Sequence, residues 1–180
     1  MKPELSQKLI HEFFDYNNGY LYWKKPVSKC SRIKIGSKAG SVAIDRRRVI
    51  RFNNCLYLSS RLIFLWHHGF MPEFVDHIDR NGVNDKIENL RAATRLQNNQ
   101  NSTSRKYSTS KYLGVHIYID KRQRKNGVNN AKTRCIASIG INCIKTYIGM
   151  FKTEVEAALA YNSEAVKNHK EFANLNIIKV

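Results

Sequence analysis

Residues 75–101 read VDHIDRNGVNDKIENLRAATRLQNNQN. An apolar pair, Phe74-Val75, leads into Asp76-His77. A polar turn follows, Asp79-Arg80-Asn81-Gly82, whose Asn-Gly step suits a backbone position with positive φ. Residues 87–90 read as a short half-buried strand, and Thr94 as the N-cap of a helix carrying Leu96 and Asn98. The expected order is strand, loop, strand, helix.

That order can gather four polar side chains at one point: Asp76, His77, Asn89 and Asn98. Asp and Asn offer the oxygen ligands of a hard cation such as Mg²⁺, which takes only one or two from protein. His offers a nitrogen that can take a proton from water near neutral pH. Together these are the parts for metal-assisted phosphodiester hydrolysis. Neighbours on a regular strand point to opposite faces, so Asp76 and His77 can share a site only where the strand ends or bulges. An isolated Asp-His pair or Asn-Leu-Arg triplet is common. The joint pattern D-H-x-D-x-N, N-L-R, then Asn98 at the start of a helix, is far more restrictive.

On these residues the stretch 61–101 resembles the HNH endonucleases, especially the phage homing-endonuclease branch with its ββα-metal motif. The resemblance implies that Asp76 and Asn98 ligate the metal, His77 is the general base, and Asn89 orients His77. The chain departs from many relatives in one place, reading Ser60-Arg61-Leu62 where they carry His-Arg-Leu.

The net charge is +17, and its distribution matters more than its size. Residues 1–75 hold 13 basic and 5 acidic side chains, residues 76–101 four of each, and residues 102–180 hold 14 and 5. A neutral centre between two basic flanks suits an active site that needs carboxylates yet is held on a polyanion. An excess this large favours nucleic acid or an anionic membrane surface over generic solubility charge. The longest strongly apolar run, residues 62–66, is far too short to span a bilayer, and the N-terminus lacks a signal-peptide core. Cys30, Cys55, Cys135 and Cys143 have no C-x-x-C spacing, so neither structural zinc nor a disulfide framework is expected, and a reducing cytoplasm is the expected location, the host's if the chain is phage-encoded.

Residues 5–14 have helical apolar spacing, ended by Asn17-Asn18-Gly19. Residues 20–24 alternate as a strand, and residues 28–41 read as a basic loop. Arg46-Arg47-Arg48 leads into a strand over 49–52, and Asn53-Asn54 turns into another over 55–58. The triple arginine is either a solvated hairpin edge or a phosphate grip. Ser60 is the expected cap of a helix that closes at Gly69. His67-His68 fits a helix C-terminus, where cations meet unpaired carbonyls. Gly19-Tyr20-Leu21-Tyr22-Trp23 followed by a basic strand pair resembles the N-terminal part of phage HNH proteins. Tyr22 and Trp23 themselves read as core.

Residues 102–111, STSRKYSTSK, form a Ser/Thr-rich basic linker in which Arg105, Lys106 and Tyr107 could lie along DNA or simply act as a spacer. Three strands are then expected over 115–119, 132–139 and 143–148, with a basic turn at 121–130 and a second turn at 140–142. Val115, Ile117 and Ile119 would face inward. Thr153 and Glu156 form a capping box for an alanine-rich helix. That helix covers one sheet face. The other would show His116, Tyr118, Arg134, Lys145 and Tyr147, a cationic and aromatic set without an acid, which reads as a DNA contact surface.

The segments Y-L-G-V (112–115), Y-I-G-M-F (147–151), E-A-A-L-A-Y (156–161) and A-N-L-N (173–176) resemble the APETALA-two DNA-binding domain of plant ethylene-response factors and phage endonucleases. The resemblance implies a sheet lying in the major groove and DNA-facing positions at Leu113, His116, Tyr118, Ser138, Gly140, Lys145 and Tyr147. Leu113, Ser138 and Gly140 stand where the plant pattern carries charge, so the plant target sequence does not carry over.

The whole chain thus reads as α+β: an HNH nuclease module over 1–101 (ββα-metal motif about 74–101), a linker over 102–111, and an APETALA-two-like domain over 112–176, its three-stranded antiparallel sheet packed on one helix. The expected activity is metal-dependent, site-directed cleavage of double-stranded DNA by a homing-type enzyme acting as a monomer. Mg²⁺ is the expected ion, with Mn²⁺ as the alternative, and no small-molecule substrate or membrane is involved. Besides Arg46, Arg47 and Arg48, Arg91 is a candidate DNA contact. The rival readings are a non-catalytic DNA-binding regulator with a decayed nuclease fold and a basic RNA-binding protein. Against the first, all four site residues are present. Against the second, a strand-rich reader suits a DNA groove better than single-stranded RNA.

Overall fold

The computed structural model describes residues 5–27, 32–44, 46–102, 108–120 and 132–178. The chain forms two compact units, Met1–Asn98 and Asn99–Val180, of mixed helix and small antiparallel sheets. The division falls a few residues ahead of the linker expected at 102–111. Within that linker Arg105, Lys106 and Tyr107 lie outside the described residues, as does the whole of the basic turn at 121–130.

In the first unit, α1 (Gln7–Phe13) is capped by Ser6, whose hydroxyl accepts from the Leu9 amide at 3.2 Å. The expected helix extends to residue 14. Instead Phe14 opens β1 (Phe14–Asn17), which pairs with β2 (Tyr20–Trp23). Two causes act together. Asn18 and Gly19 take φ of 45° and 84°, the left-handed pair of a two-residue hairpin. Phe14 is wholly buried, its ring against Trp23 and Phe52.

The strands β3 (Ser41–Val42), β4 (Arg48–Phe52) and β5 (Cys55–Leu58) form a second sheet, with β4 and β5 joined through Asn53-Asn54 at φ 46° and 61°. Next, α2 (Ser59–His68) buries Leu62, Ile63, Phe64 and Leu65. Ser60 does not cap it. It sits buried inside the first turn, and the boundary residue Leu58 makes no side-chain cap bond. Gly69 closes the helix at φ 76°.

Ile10, Leu21, Ile50, Phe52, Leu62 and Ile63 are fully buried in one cluster, each contributing about 1.5–3 kcal/mol by burial. Arg61 projects from this helix and donates to the carbonyls of Glu73 (2.8 Å) and Pro72 (3.2 Å). It thereby fixes the entry into β6 (Phe74–His77). A 3₁₀ turn (Ile87–Asn89), β7 (Leu90–Ala93) and α3 (Arg95–Gln100) complete the segment. The second strand therefore starts three residues later than the alternation at 87–90 implied, because Ile87 and Asn89 are taken by the turn.

In the second unit, β8 (Val115–Asp120), β9 (Lys132–Ile141) and β10 (Ile144–Phe151) form one sheet in the order β10-β9-β8. The turn expected at 140–142 lies instead at Asn142-Cys143, both at positive φ, and Ile141 pairs with Ile144. A register shift between Tyr147 and Gly149 lets Tyr147 oppose Ser138 while Phe151 opposes Cys135. A one-residue bulge of this kind changes which face later side chains take. It keeps Tyr147 exposed and Phe151 against the core.

Thr153 caps α4 (Glu154–His169) in a reciprocal box with Glu156. Ala157 and Ala158 share an apolar cluster with Tyr112, Val115, Cys135 and Ala137. Ile119, expected inside, is about half exposed near the strand's end. No helix among the described residues is long and apolar enough to cross a membrane.

Candidate active site

The chain order places Asp76 and His77 as the last two residues of β6, opposite Arg91 and Leu90 of β7. The strand stops there: the Ile78 amide donates to the Asn89 carbonyl (2.9 Å) and the Arg80 amide to the His77 carbonyl (2.9 Å). The strand therefore ends where the sequence required it to end for the two adjacent side chains to be able to share a site.

Asp76 is 5% exposed. Its Oδ2 accepts from Arg91 Nε at 2.8 Å and lies 2.7 Å from Arg91 Nη2. A carboxylate so far from water needs a cation or several donors beside it. The same-face pairing across β6 and β7 supplies a guanidinium. Arg91, expected from the sequence to contact DNA, is thus engaged with a candidate metal ligand.

His77 meets a residue outside the pattern that the sequence reveals. Its Nε2 lies 2.8 Å from Asp85 Oδ1, and Asp85 is itself buried. Asn89, expected to orient the imidazole, has its side chain bonded to the intervening loop. It accepts from the Asp79 amide (2.9 Å) and donates to Asp79 Oδ1 and the Asn84 carbonyl (both 2.8 Å). Burial works to raise the Asp79 carboxyl, but hydrogen bonds from Asn84, the Asn81 backbone and Asn89 outweigh it and hold it below the usual aspartate value. Asn89 therefore shapes the 78–84 loop between the two strands.

Thr94 caps α3 as expected: its hydroxyl accepts from the Gln97 amide (3.3 Å) and Gln97 Oε1 accepts from the Thr94 amide (2.8 Å). Asn98 is half-buried on this helix, its amide bonded to the Thr94 carbonyl.

One arginine lies against the loop and other basic side chains gather on Tyr20. The Arg47 stem lies over Gly82, where a Cβ would come within 3.2 Å of its Cγ. Lys38 Nζ sits 3.4 Å from the centroid of the Tyr20 ring, and the Arg48 guanidinium 5.1 Å from it. Arg46 and Arg47 are exposed.

In the second unit, strand register puts His116, Tyr118, Arg134, Lys145 and Tyr147 on the sheet face away from α4. Tyr118 and Tyr147 are 43% and 61% exposed. His116 Nδ1 lies 2.8 Å from Thr109 Oγ1, so the chain before the sheet is tied to its edge strand. Leu113 differs from the other positions expected to face DNA, since it packs against the cluster of Ile139, Tyr161 and Ala165.

Residues 57–100 match the HNH endonuclease family. An uncharacterised HNH endonuclease of Acanthamoeba polyphaga mimivirus is 39% identical over 105 residues, covering 58% of this chain. The chain spans 48% of that relative's length. No solved structure matches the chain with significance.

HNH nucleases generally use a divalent metal ion. Asp76, whose buried carboxylate already meets a cation, and Asn98, an amide-oxygen donor on the following helix, are the residues that could hold one, and Mg²⁺ needs no more than one or two protein oxygens.

Proposed function

We propose, from the match of residues 57–100 to the HNH endonuclease family, that this chain is a metal-dependent endonuclease. It hydrolyses phosphodiester bonds of double-stranded DNA at a preferred site, in the manner of a homing enzyme and as a monomer. The observation that carries the reading is the pair at the end of β6: Asp76 buried against a cation, and His77 held by a carboxylate. On this reading, residues 74–101 are a ββα-metal motif.

Asp76 and Asn98 would hold the ion, Mg²⁺ or Mn²⁺. When bound, it supplies Lewis-acid stabilisation of the scissile phosphate and the leaving oxygen. The chain's own residues do the rest. His77 takes a proton from a water whose oxygen bonds to phosphorus as the bond to the leaving oxygen breaks, and that oxygen is then protonated. Asn89 keeps the loop under Asp79 in place, so that β6 ends where His77 can reach the phosphate. Arg46, Arg47 and Arg48 grip flanking phosphates, as would Arg105 and Lys106.

The second unit acts as an APETALA-two-like docking domain. Its α4 backs the sheet, and the opposite face of His116, Tyr118, Arg134, Lys145 and Tyr147 meets the groove. Support comes from the sharing of one exposed face by cationic and aromatic side chains, since phosphate contacts position a protein and base contacts specify the site.

The test is cleavage of supercoiled plasmid with Mg²⁺ and with chelator, using wild type and His77→Ala. Wild type should cut only with metal, and His77→Ala should lose about 10²–10⁴ in rate while binding DNA normally. Equal cutting by the variant would remove His77 from the mechanism.

A further inference from the structure

The geometry points to a positioning residue outside the four-residue pattern: we propose that Asp85 orients His77 and selects its tautomer, so that Nδ1 is the atom that takes the proton from water. This rests on the reading of His77 as the general base.

The contact itself is short and dry. Asp85 Oδ1 lies 2.8 Å from His77 Nε2, with side-chain exposures of 3% and 12%. An ionised carboxylate can only accept, so the nitrogen facing it carries the hydrogen. In a neutral imidazole the other nitrogen, Nδ1, then keeps its lone pair. A carboxylate behind a catalytic imidazole fixes both ring orientation and tautomer, and need not itself gain a proton. Burial makes the pairing more than a surface encounter, because a carboxylate sealed from water is costly unless it is bonded.

Asp85 is also held from behind. The hairpin turn between β1 and β2 packs on it so closely that a Cβ at Gly19 would lie 3.0 Å from Lys86 N and 3.2 Å from the Asp85 carbonyl carbon. One turn further, the Ile87 amide donates to the Tyr16 hydroxyl at 3.1 Å. The backbone that carries Asp85 is thus fixed by two contacts from a different part of the unit, as the residues supporting a precise site must be. Asn89, by contrast, bonds to the loop at Asp79.

The experiment uses the full chain with ¹⁵N-labelled histidine, read by long-range nitrogen–proton correlation with the ring neutral. Wild-type His77 should show a protonated Nε2 and an unprotonated Nδ1. Asp85→Leu should show a mixture of tautomers. In plasmid cleavage with Mg²⁺, Asp85→Leu should lower kcat by about 10²-fold with KM and DNA affinity within about twofold of wild type. A protonated Nδ1 in the wild-type chain overturns the inference without any variant, so a poorly folding Asp85→Leu does not shelter it. Unchanged kcat in Asp85→Leu, alongside a dead His77→Ala, overturns it too while leaving the general base in place. Wild-type cutting by His77→Ala would instead sink the general-base reading itself.

Discussion

Arg91 directs two guanidinium nitrogens at a single carboxylate oxygen, Oδ2 of Asp76, at 2.8 and 2.7 Å. The cation comes from the cross-strand partner of the aspartate, so the site carries its own positive charge before any ion arrives. A divalent ion held by Asp76, as proposed above, would bind through Oδ1 beside the guanidinium or compete with it for Oδ2.

Arg91→Ala should therefore destabilise the metal-free protein by about 3–5 kcal/mol, the scale for breaking a buried ion pair by removing one partner. Added Mg²⁺ should recover part of the loss, since the ion replaces the missing charge. Urea unfolding with and without Mg²⁺ checks this. An equal loss in both conditions would mean that the ion and the guanidinium do not serve the same carboxylate.

Asp76→Ala and Asn98→Ala should each shift the Mg²⁺ titration of cleavage to higher concentration. The double variant should be no slower than the worse single one, because residues acting as one unit are non-additive. Multiplying losses with an unmoved titration would place the two residues at separate tasks.

Arg134→Ala and Lys145→Ala should weaken DNA binding and reduce the slope of log K against log salt by about 0.9 for each phosphate left without its cation. Tyr147→Ala should weaken binding with little change in slope. Fluorescence anisotropy across a salt series reads both effects. Unchanged slopes in both charge variants would remove this face from the DNA interface.

Gly114→Ala should unfold the second unit selectively. Gly114 has φ +75°, and a Cβ there would lie 2.1 Å from the Tyr161 ring and 2.7 Å from the Ser138 carbonyl oxygen. Backbone strain and overpacking each cost about 1–3 kcal/mol. A two-step melt in which only the transition of the second unit moves is the expected result, and an unmoved melt would refute it.

Tyr161 gives that unit an alkaline limit. Burial raises its hydroxyl from 10.0 to about 12, so the neutral form is favoured in the folded state. The stabilisation is complete below the unfolded value and is lost as pH rises through the folded one. About 2–3 kcal/mol should disappear over that window. Tyr161→Phe should flatten the dependence, as measured by denaturant unfolding at stepped pH.

Much of the local structure around the candidate residues was legible in the sequence, for reasons particular to each residue. Asp76 and His77 follow an apolar pair, so a strand end could be read directly. Thr94 has its capping partner Gln97 three residues on, a local signal. Asp85 left no such trace. It meets His77 across the seven-residue loop 78–84, whose path no periodicity encodes. The strand β1 was hidden because Phe13 and Phe14 extend the helical spacing of Leu9 and Ile10, and only pairing with β2 takes Phe14 out of the helix. The 3₁₀ turn at Ile87 was likewise invisible, since it depends on the distant Tyr16 hydroxyl.

The Tyr16 and Gly19 contacts also bear on portability. The stretch that matches the nuclease family begins at residue 57, yet the hairpin bracing Ile87 and Lys86 spans residues 14–23. A graft that moved only the matched stretch into another protein would leave Lys86 and Ile87 without that brace. The smallest transferable unit is therefore set by a buttress in the N-terminal hairpin, outside the boundaries of the matched stretch.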